Sequence, residues 1–212
     1  MSAKGEARRG TLVRAATELL LVDGFEAVSH RAVATRAGVP LAATTYYFAS
    51  LAELVRAAVD LAASGQVAAG EAVLAGAPAR ARTPVATARL LVRVVAGGPP
   101  EAARLLGLYE RFLQAGRDDA LREPVRSWNA TTAGLVARTL ERSGRPVRPA
   151  TGALLLSCTD GVLVSALAEG VADLEGTAAR RLAPVVQALA PGADRAPARD
   201  QSVRDQAAGV PG

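Results

Sequence analysis

The chain has 212 residues, half of them hydrophobic, 21% charged and 3% aromatic, with a net charge of +5 and a pI near 10.3. That length allows one large or two small domains, and the apolar share buries a core of mostly Ala, Leu and Val. One cysteine, Cys158, excludes an internal disulfide and fits a reducing cytoplasm. No apolar run reaches the roughly 20 uninterrupted residues of a membrane span, and the polar, basic start shows no signal peptide.

The basic balance suits a polyanionic partner. It is spread thinly, because residues 1–48 hold six bases (Lys4, Arg8, Arg9, Arg14, Arg31, Arg36) against four acids, which is +2 of the +5. Lys4 is the only lysine, and with so much Ala, Gly and Arg the sequence points to a GC-rich bacterial genome. Ala, Leu, Arg and Glu dominate while β-branched runs are scarce, so an all-α fold is expected.

Residues 1–7 read as a mobile polar arm. A first helix is expected over 8–22, with Leu12, Ala16, Leu19 and Leu20 on one stripe. Asp23-Gly24 ends it, and Phe25 folds back on the core. Ser29 then caps a helix over 30–37. Gly38 takes the left-handed turn, Val39 plugs the core, and Pro40 opens the first turn of a third helix over 41–47. Helix, glycine turn and short second helix make a helix-turn-helix, whose second member is the type that enters a DNA major groove.

The run AVSHRAVATRAGVPLAATTYYF, preceded by RRGTLVRAATELLLVDGF, resembles the N-terminal DNA-binding domain of TetR-family transcriptional regulators. The resemblance rests on the DGF ending, the Ser29–Arg31 cap and arginine, the Ala37–Val39 turn and the aromatic exit at Tyr46, Tyr47 and Phe48. It covers about the first quarter of the chain. Beyond it, only the helical layout and a late Asp160-Gly161 match.

Ser50 and Glu53 form a capping box that opens a long helix to about residue 75, which joins the two domains. Thr83-Pro84 starts a helix to 96, and Gly97 to Pro100 break the chain. A helix over 101–115 places Leu105, Leu108, Tyr109 and Phe112 on one face. Asp118 or Asp119 caps a helix that is bent or restarted at Pro124 and runs to 142. The helix over 150–170 is apolar on most of its circumference and must be buried on several sides. A last helix over 174–190 is kinked or restarted near Pro184, and 191–212 read as a disordered tail. The expected domains are therefore 1–50 for DNA, 51–190 for ligand binding and dimerisation, and the tail.

The resemblance implies roles for particular residues. Leu41, Ala42 and Thr45 would face bases, Tyr46 and Tyr47 the backbone, and Ser29 a phosphate. Arg31 matches a position that reads guanine, for which its planar fork is suited. Family members often carry Lys where this chain has Leu51, so one phosphate contact is missing. Thr44 replaces an apolar core residue.

The resemblance also implies a ligand in the second domain that alters the spacing of two DNA heads. Tyr109, Phe112, Trp128, Thr131, Thr132, Cys158 and Asp160 are the candidates, being the few large or polar groups in apolar helices. A mainly apolar effector is expected between the helices at 83–96, 101–115, 119–142 and 150–170. Asp160 must find a partner: a cationic ligand, Arg104, Arg111, or a group across a dimer interface. Leu154, Leu155, Val162, Leu163, Ala166 and Leu167 cover more than one face, which points to a homodimer through the last two helices on a palindromic operator.

One histidine, His30, one cysteine and no paired carboxylates give neither a triad nor a metal cluster. No phosphate-cradling loop follows a strand. The chain is read as a ligand-released repressor that needs no cofactor, not as an enzyme. The alternatives are a DNA-binding regulator without an effector and a helical interaction module with a degenerate head.

Overall fold

Nine α-helices and no strand make up the described part of the chain, residues 3–192 of a computed structural model. The first helix, α1 (Ala3–Val22), starts earlier than expected. Residues 3–7 are helical rather than a mobile arm because Ala3, Lys4, Glu6 and Ala7 are good helix formers that outweigh Gly5, and no proline interrupts the turn. The expected stripe is buried: Leu12 and Ala16 at 0% exposure, Leu19 at 6% and Leu20 at 2%. Gly24 takes φ 85° and leads into a 3₁₀ turn at Phe25–Ala27, which buries Phe25.

The helices α2 (His30–Ala37) and α3 (Leu41–Tyr47) have the expected bounds. Ser29 caps α2 by accepting a hydrogen bond from the Ala32 amide at 3.2 Å, and Gly38 closes it at φ 63°. Pro40 sits one position earlier than expected, at the cap of α3 with ψ 144°. Thr44 is fully buried, and its hydroxyl donates to the Leu41 carbonyl at 2.8 Å, so a polar residue replaces an apolar one without an orphaned group.

The long helix α4 (Leu51–Gly76) is capped by Ser50, which accepts from the Glu53 amide at 3.1 Å. The Glu53 carboxylate reaches back to the Ala49 amide at 2.9 Å. Near its start α4 packs on α1, where the Thr17 hydroxyl donates to the Ala58 carbonyl at 3.2 Å. Further on it packs on α5 (Pro84–Ala96) and α7 (Asp119–Arg142). There Gln66 donates to the Val95 carbonyl and Glu71 pairs with Arg138 at 2.7 Å.

Between them lies α6 (Ala102–Arg117), the one later helix that packs closely on α1. Pro124 lies inside a continuous α7, and Pro184 inside a continuous α9 (Leu174–Leu189), so neither restarts its helix. Asp118 caps α7 by accepting from the Ala120 amide at 2.9 Å.

The helix α8 (Pro149–Ala168) has a mean hydropathy of 1.6, so by length and composition alone it could cross a membrane, contrary to the sequence reading. It instead packs against α5, α7 and α9, and its Asp160 is hydrogen-bonded inside the fold. Leu155, Leu163 and Ala166, expected in part at a dimer interface, are at 0% exposure in the chain's own core. Val162 and Leu167 are half-buried, and Leu154 is open at 50%. Of the expected disordered tail, 193–212 lies outside the described residues.

Candidate nucleic-acid interface and ligand site

Helix α3 stands on the surface because Thr44 and the following Phe48, at 1% exposure, pin its inner side. What remains outside is unusual for a fold-serving helix. Leu41 is 47% exposed and Tyr46 80% exposed, beside exposed Ala42 and Thr45. Tyr47 is half-buried, with Tyr46 edge-on to it at a ring-centroid distance of 4.9 Å. The Thr45 hydroxyl donates to the Ala42 carbonyl at 3.2 Å.

Arg31 is exposed at the start of α2 and makes no hydrogen bond or ion pair among the described residues. Arg36, on the same helix, is committed elsewhere: it pairs with Asp23 at 3.3 Å and Glu18 at 3.7 Å and so ties α2 to α1. Arg9 likewise lies over the Phe48 ring at 4.7 Å. Sequence reasoning missed the flank. The first turns of α1 bring Lys4 and Arg8 to a cleft of about 540 Å³ shared with Ala42, Ala43, Tyr46 and Tyr47. Lys4 falls in the stretch expected to be a mobile arm, and Arg8 opens the expected first helix with no contact assigned to it.

The ligand candidates divide. Tyr109 on α6, Trp128 and Thr132 on α7 and Asp160 on α8 converge, with Phe112 beside them, where α4 to α8 meet. Trp128 is 4% and Thr132 7% exposed. The Tyr109 hydroxyl donates to Asp160 Oδ1 at 3.1 Å. Thr131 lies apart: it is exposed, and its hydroxyl donates to the Ser127 carbonyl at 3.0 Å. Cys158 is half-buried against the core and lines none of these clefts.

No roomy void opens at the convergence. The free volume there is about 10 Å³, because the side chain of Arg111 fills it. Its guanidinium lies 4.2 Å from the Phe112 ring centre, 4.2 Å from Trp128 and 5.7 Å from Tyr109. Arg104, the other partner considered for Asp160, turns to Gln66 at 3.3 Å. The large apolar space lies next door, outside the expected position. A cleft of about 680 Å³ between the end of α1, α6 and α8 is lined by Val22, Leu106, Tyr109, Phe112, Leu113 and Val164, with Asp23 and Glu110 as its charged members.

Burial pushes the Asp160 carboxyl up to about 6, against the opposing pull of Arg111 and the Tyr109 hydrogen bond. Burial also raises Tyr109 and lowers Arg111. The folded chain thus keeps the Asp160 proton up to about pH 6, whereas an unfolded Asp releases it near about pH 4. Between those values the folded state binds more protons, so stability contributed by this group falls as pH rises. Wild type should lose roughly 1–3 kcal/mol through it between pH 4 and 7. In urea unfolding, Asp160→Asn should abolish that part of the slope. A wild-type-minus-variant difference that is flat in pH would remove the argument.

One further contact joins the two halves. The Phe25 amide donates to the Glu110 carboxylate at 3.1 Å, linking the turn after α1 to α6. Three residues before Glu110, Gly107 lies against α1 so closely that a Cβ there would sit 2.4 Å from the Leu21 carbonyl oxygen.

Residues 12–58 match the profile described as "Bacterial regulatory proteins, tetR family", and 82–192 that described as "Tetracyclin repressor-like, C-terminal domain". Among solved structures the chain is similar to the multidrug binding protein EbrR complexed with ethidium, at 30% identity and TM-score 0.66, over 87% of this chain and 99% of that one. The same protein complexed with imidazole gives 29% identity and TM-score 0.67, over 91% and 97%. SCO1917 from Streptomyces coelicolor A3, a member of the TetR family, gives 30% and 0.60, over 87% and 98%. No curated protein matches the chain.

Proposed function

The chain belongs to the TetR family of bacterial regulatory proteins, DNA-binding transcriptional regulators rather than enzymes, and we propose on that premise that it is a homodimeric repressor released from a palindromic operator by a small molecule. The observation that carries the DNA reading is the exposed set Arg31, Leu41, Thr45 and Tyr46, which the fold itself does not use. Exposed Leu and Tyr on a helix flanked by Lys4 and Arg8 suit thymine methyls and phosphates. Lys4 and Arg8 would replace the phosphate contact that Leu51 cannot make. The head is 1–50, the ligand and dimer domain 51–190, and the working compartment the cytoplasm, where the DNA is.

The roles divide by chemistry. Arg31 reads a base, and Leu41 and Ala42 touch base edges with Thr45. Ser29, Tyr46, Tyr47 and Arg8 hold phosphates. In fluorescence anisotropy against DNA from upstream of its own gene, Arg31→Ala should cost roughly 1–3 kcal/mol and relax preference at one base pair per half-site. Arg8→Ala should weaken all sequences alike and reduce the salt slope by about 1. If Arg31→Ala leaves both affinity and preference unchanged at fixed salt, Arg31 does not read DNA. The exposure of these side chains also speaks against a degenerate head.

For dimerisation the support is the outward stripe of α8. Leu154, Ser157, Gly161, Val164 and Ala168 are all exposed and recur every three or four residues, with small residues between two apolar ones. A two-fold copy of the same helix can approach such a stripe closely.

For the ligand the support is the aromatic group Tyr109, Phe112 and Trp128 with Asp160, adjoining the cleft of about 680 Å³, and the kinship with EbrR, seen with ethidium and proflavin. Flat rings would supply contact area, and Asp160 and Thr132 orientation. Titration of Trp128 fluorescence against candidate ligands, with operator release followed in parallel, tests this. The reading without an effector has one observation in its favour, the nearly closed core at Arg111. Release of operator DNA by no small molecule that also perturbs Trp128 would decide for it.

A further inference from the structure

We propose that Arg111 stands in for the ligand: its guanidinium occupies the aromatic cage of Tyr109, Phe112 and Trp128 in the empty protein, and the effector is an organic cation that evicts it and pairs with Asp160. This rests on the ligand reading above and names the ligand's chemistry.

Arg111 is 7% exposed, with ring centres of Phe112 and Trp128 each 4.2 Å from its guanidinium carbon and that of Tyr109 at 5.7 Å. The negative faces of aromatic rings attract cations, and three rings about one point form a cation site. The fold has thus already built one and filled it with its own side chain.

The occupant is poorly compensated. One guanidinium nitrogen donates to the carbonyl of Leu108 on its own helix, and Nε is buried with no hydrogen-bond partner among the described residues. No hydrogen bond or ion pair joins Arg111 to Asp160, although the carboxylate shares the same walls. A buried charge whose counter-ion, Asp160, acts on it only through space and not in a direct ion pair is costly, and moving that guanidinium into water recovers its hydration. Eviction therefore sets the cage interaction and the through-space pull of Asp160, which the incoming cation takes over, against regained solvation.

The chemistry of what is left behind selects the guest. With Arg111 out, the site keeps three ring faces, the Tyr109 hydroxyl and the Asp160 carboxylate. An anion drawn to Arg111 would meet Asp160 and those ring faces, all repulsive to it. A cation is attracted by all of these groups, and Arg126 at the edge of one approach is paired with Glu123 at 2.6 Å. Access exists on two sides: Tyr109 and Phe112 also line the cleft of about 680 Å³, and Phe112, Leu156 and Asp160 line one of about 460 Å³.

The test uses the DNA-free, full-length protein and two probes of one ring system, ethidium (a fixed cation) and phenanthridine at pH 8 (neutral), read by Trp128 quenching. Wild type should bind ethidium at least about tenfold tighter. Arg111→Met, which keeps an apolar stem and removes the competing charge, should strengthen ethidium binding by about tenfold. Asp160→Asn should weaken ethidium by about tenfold and leave phenanthridine unchanged. Ethidium binding that Arg111→Met leaves unchanged or weakens overturns the proposal. Should that variant not fold, the two-probe contrast in wild type and in Asp160→Asn decides, and equal affinities overturn it. Phenanthridine bound more tightly than ethidium sinks the cation inference while sparing the ligand reading. If neither probe binds, the inference falls, and operator release by other small molecules decides the broader reading.

Discussion

Leu154→Glu combined with Val164→Glu should convert the protein to a monomer at micromolar concentration and lower operator affinity by about 100-fold, roughly 3 kcal/mol. Both side chains are largely open in the single chain, at 50% and 44% exposure. The substitutions therefore leave the protomer core intact, and circular dichroism should not change. In a two-fold interface each change occurs twice, and four carboxylates would meet where apolar surface is buried. Burying unpaired charge costs several kcal/mol per group, more than a standard interface can spare. A palindrome needs two heads about one DNA turn apart, roughly 34–36 Å or more, so a monomer keeps only half the contacts. Sedimentation gives the mass and anisotropy the affinity. A double variant that still sediments as a dimer would place the interface elsewhere.

The choice of Leu154 and Val164 shows where sequence reasoning stops. The bounds of α2, α3 and α5 were legible to the residue because local chemistry sets them. Ser29 and Thr83 cap, Pro84 fits a first turn, and Gly38 and Gly97 take positive φ. The bounds of α8 were legible within two residues, but not its faces. When nearly every side chain of a helix is apolar, no periodicity separates inside from outside, and only the neighbours decide. Leu155 and Leu163 went to the chain's own core and Leu154 and Val164 to the surface.

Arg111 failed to stand out for the opposite reason. An arginine in a helix reads as a solvated charge, and the sequence marks this one only as a possible partner for Asp160. A signal was present: Arg111 falls three residues after Leu108 and four before Ala115, both buried, so it lies on the apolar stripe of α6. The helix pair that carries the proposed DNA face was the more legible, since its motif is local. Lys4 escaped because nothing marks a helix start ahead of residue 8, and Arg8 because its neighbours across the cleft, Ala42 to Tyr47, are far away in sequence. The Phe25–Glu110 contact joins residues far apart in sequence, and no local pattern announces such a pair.

Gly107→Ala should shift the DNA head and lower operator affinity at least tenfold, about 1.4 kcal/mol, although alanine is the better helix former. Two effects oppose each other. Removing a glycine from a helix interior gains about 1 kcal/mol. The new Cβ, however, would lie 2.4 Å from the Leu21 carbonyl oxygen and 2.9 Å from its carbonyl carbon and Cα. These are backbone atoms of α1, which no rotamer change can move aside. Overpacking of this kind costs about 1–3 kcal/mol when the surroundings yield, so the clash outweighs the propensity. The yielding element is α1, and α1 carries the head: Arg36 and Thr17 tie it to α2 and α4. Its turn also rests on α6 through the Phe25 amide and Glu110, where Gly24 leaves room that a side chain would take. Leu113→Ala, in the same cleft but at a 65% exposed residue, is the control and should bind as wild type does. Anisotropy with operator DNA measures both, beside sedimentation to show that the dimer persists. A Gly107→Ala protein that binds within about twofold of wild type would mean that the α1–α6 contact does not set the position of the head.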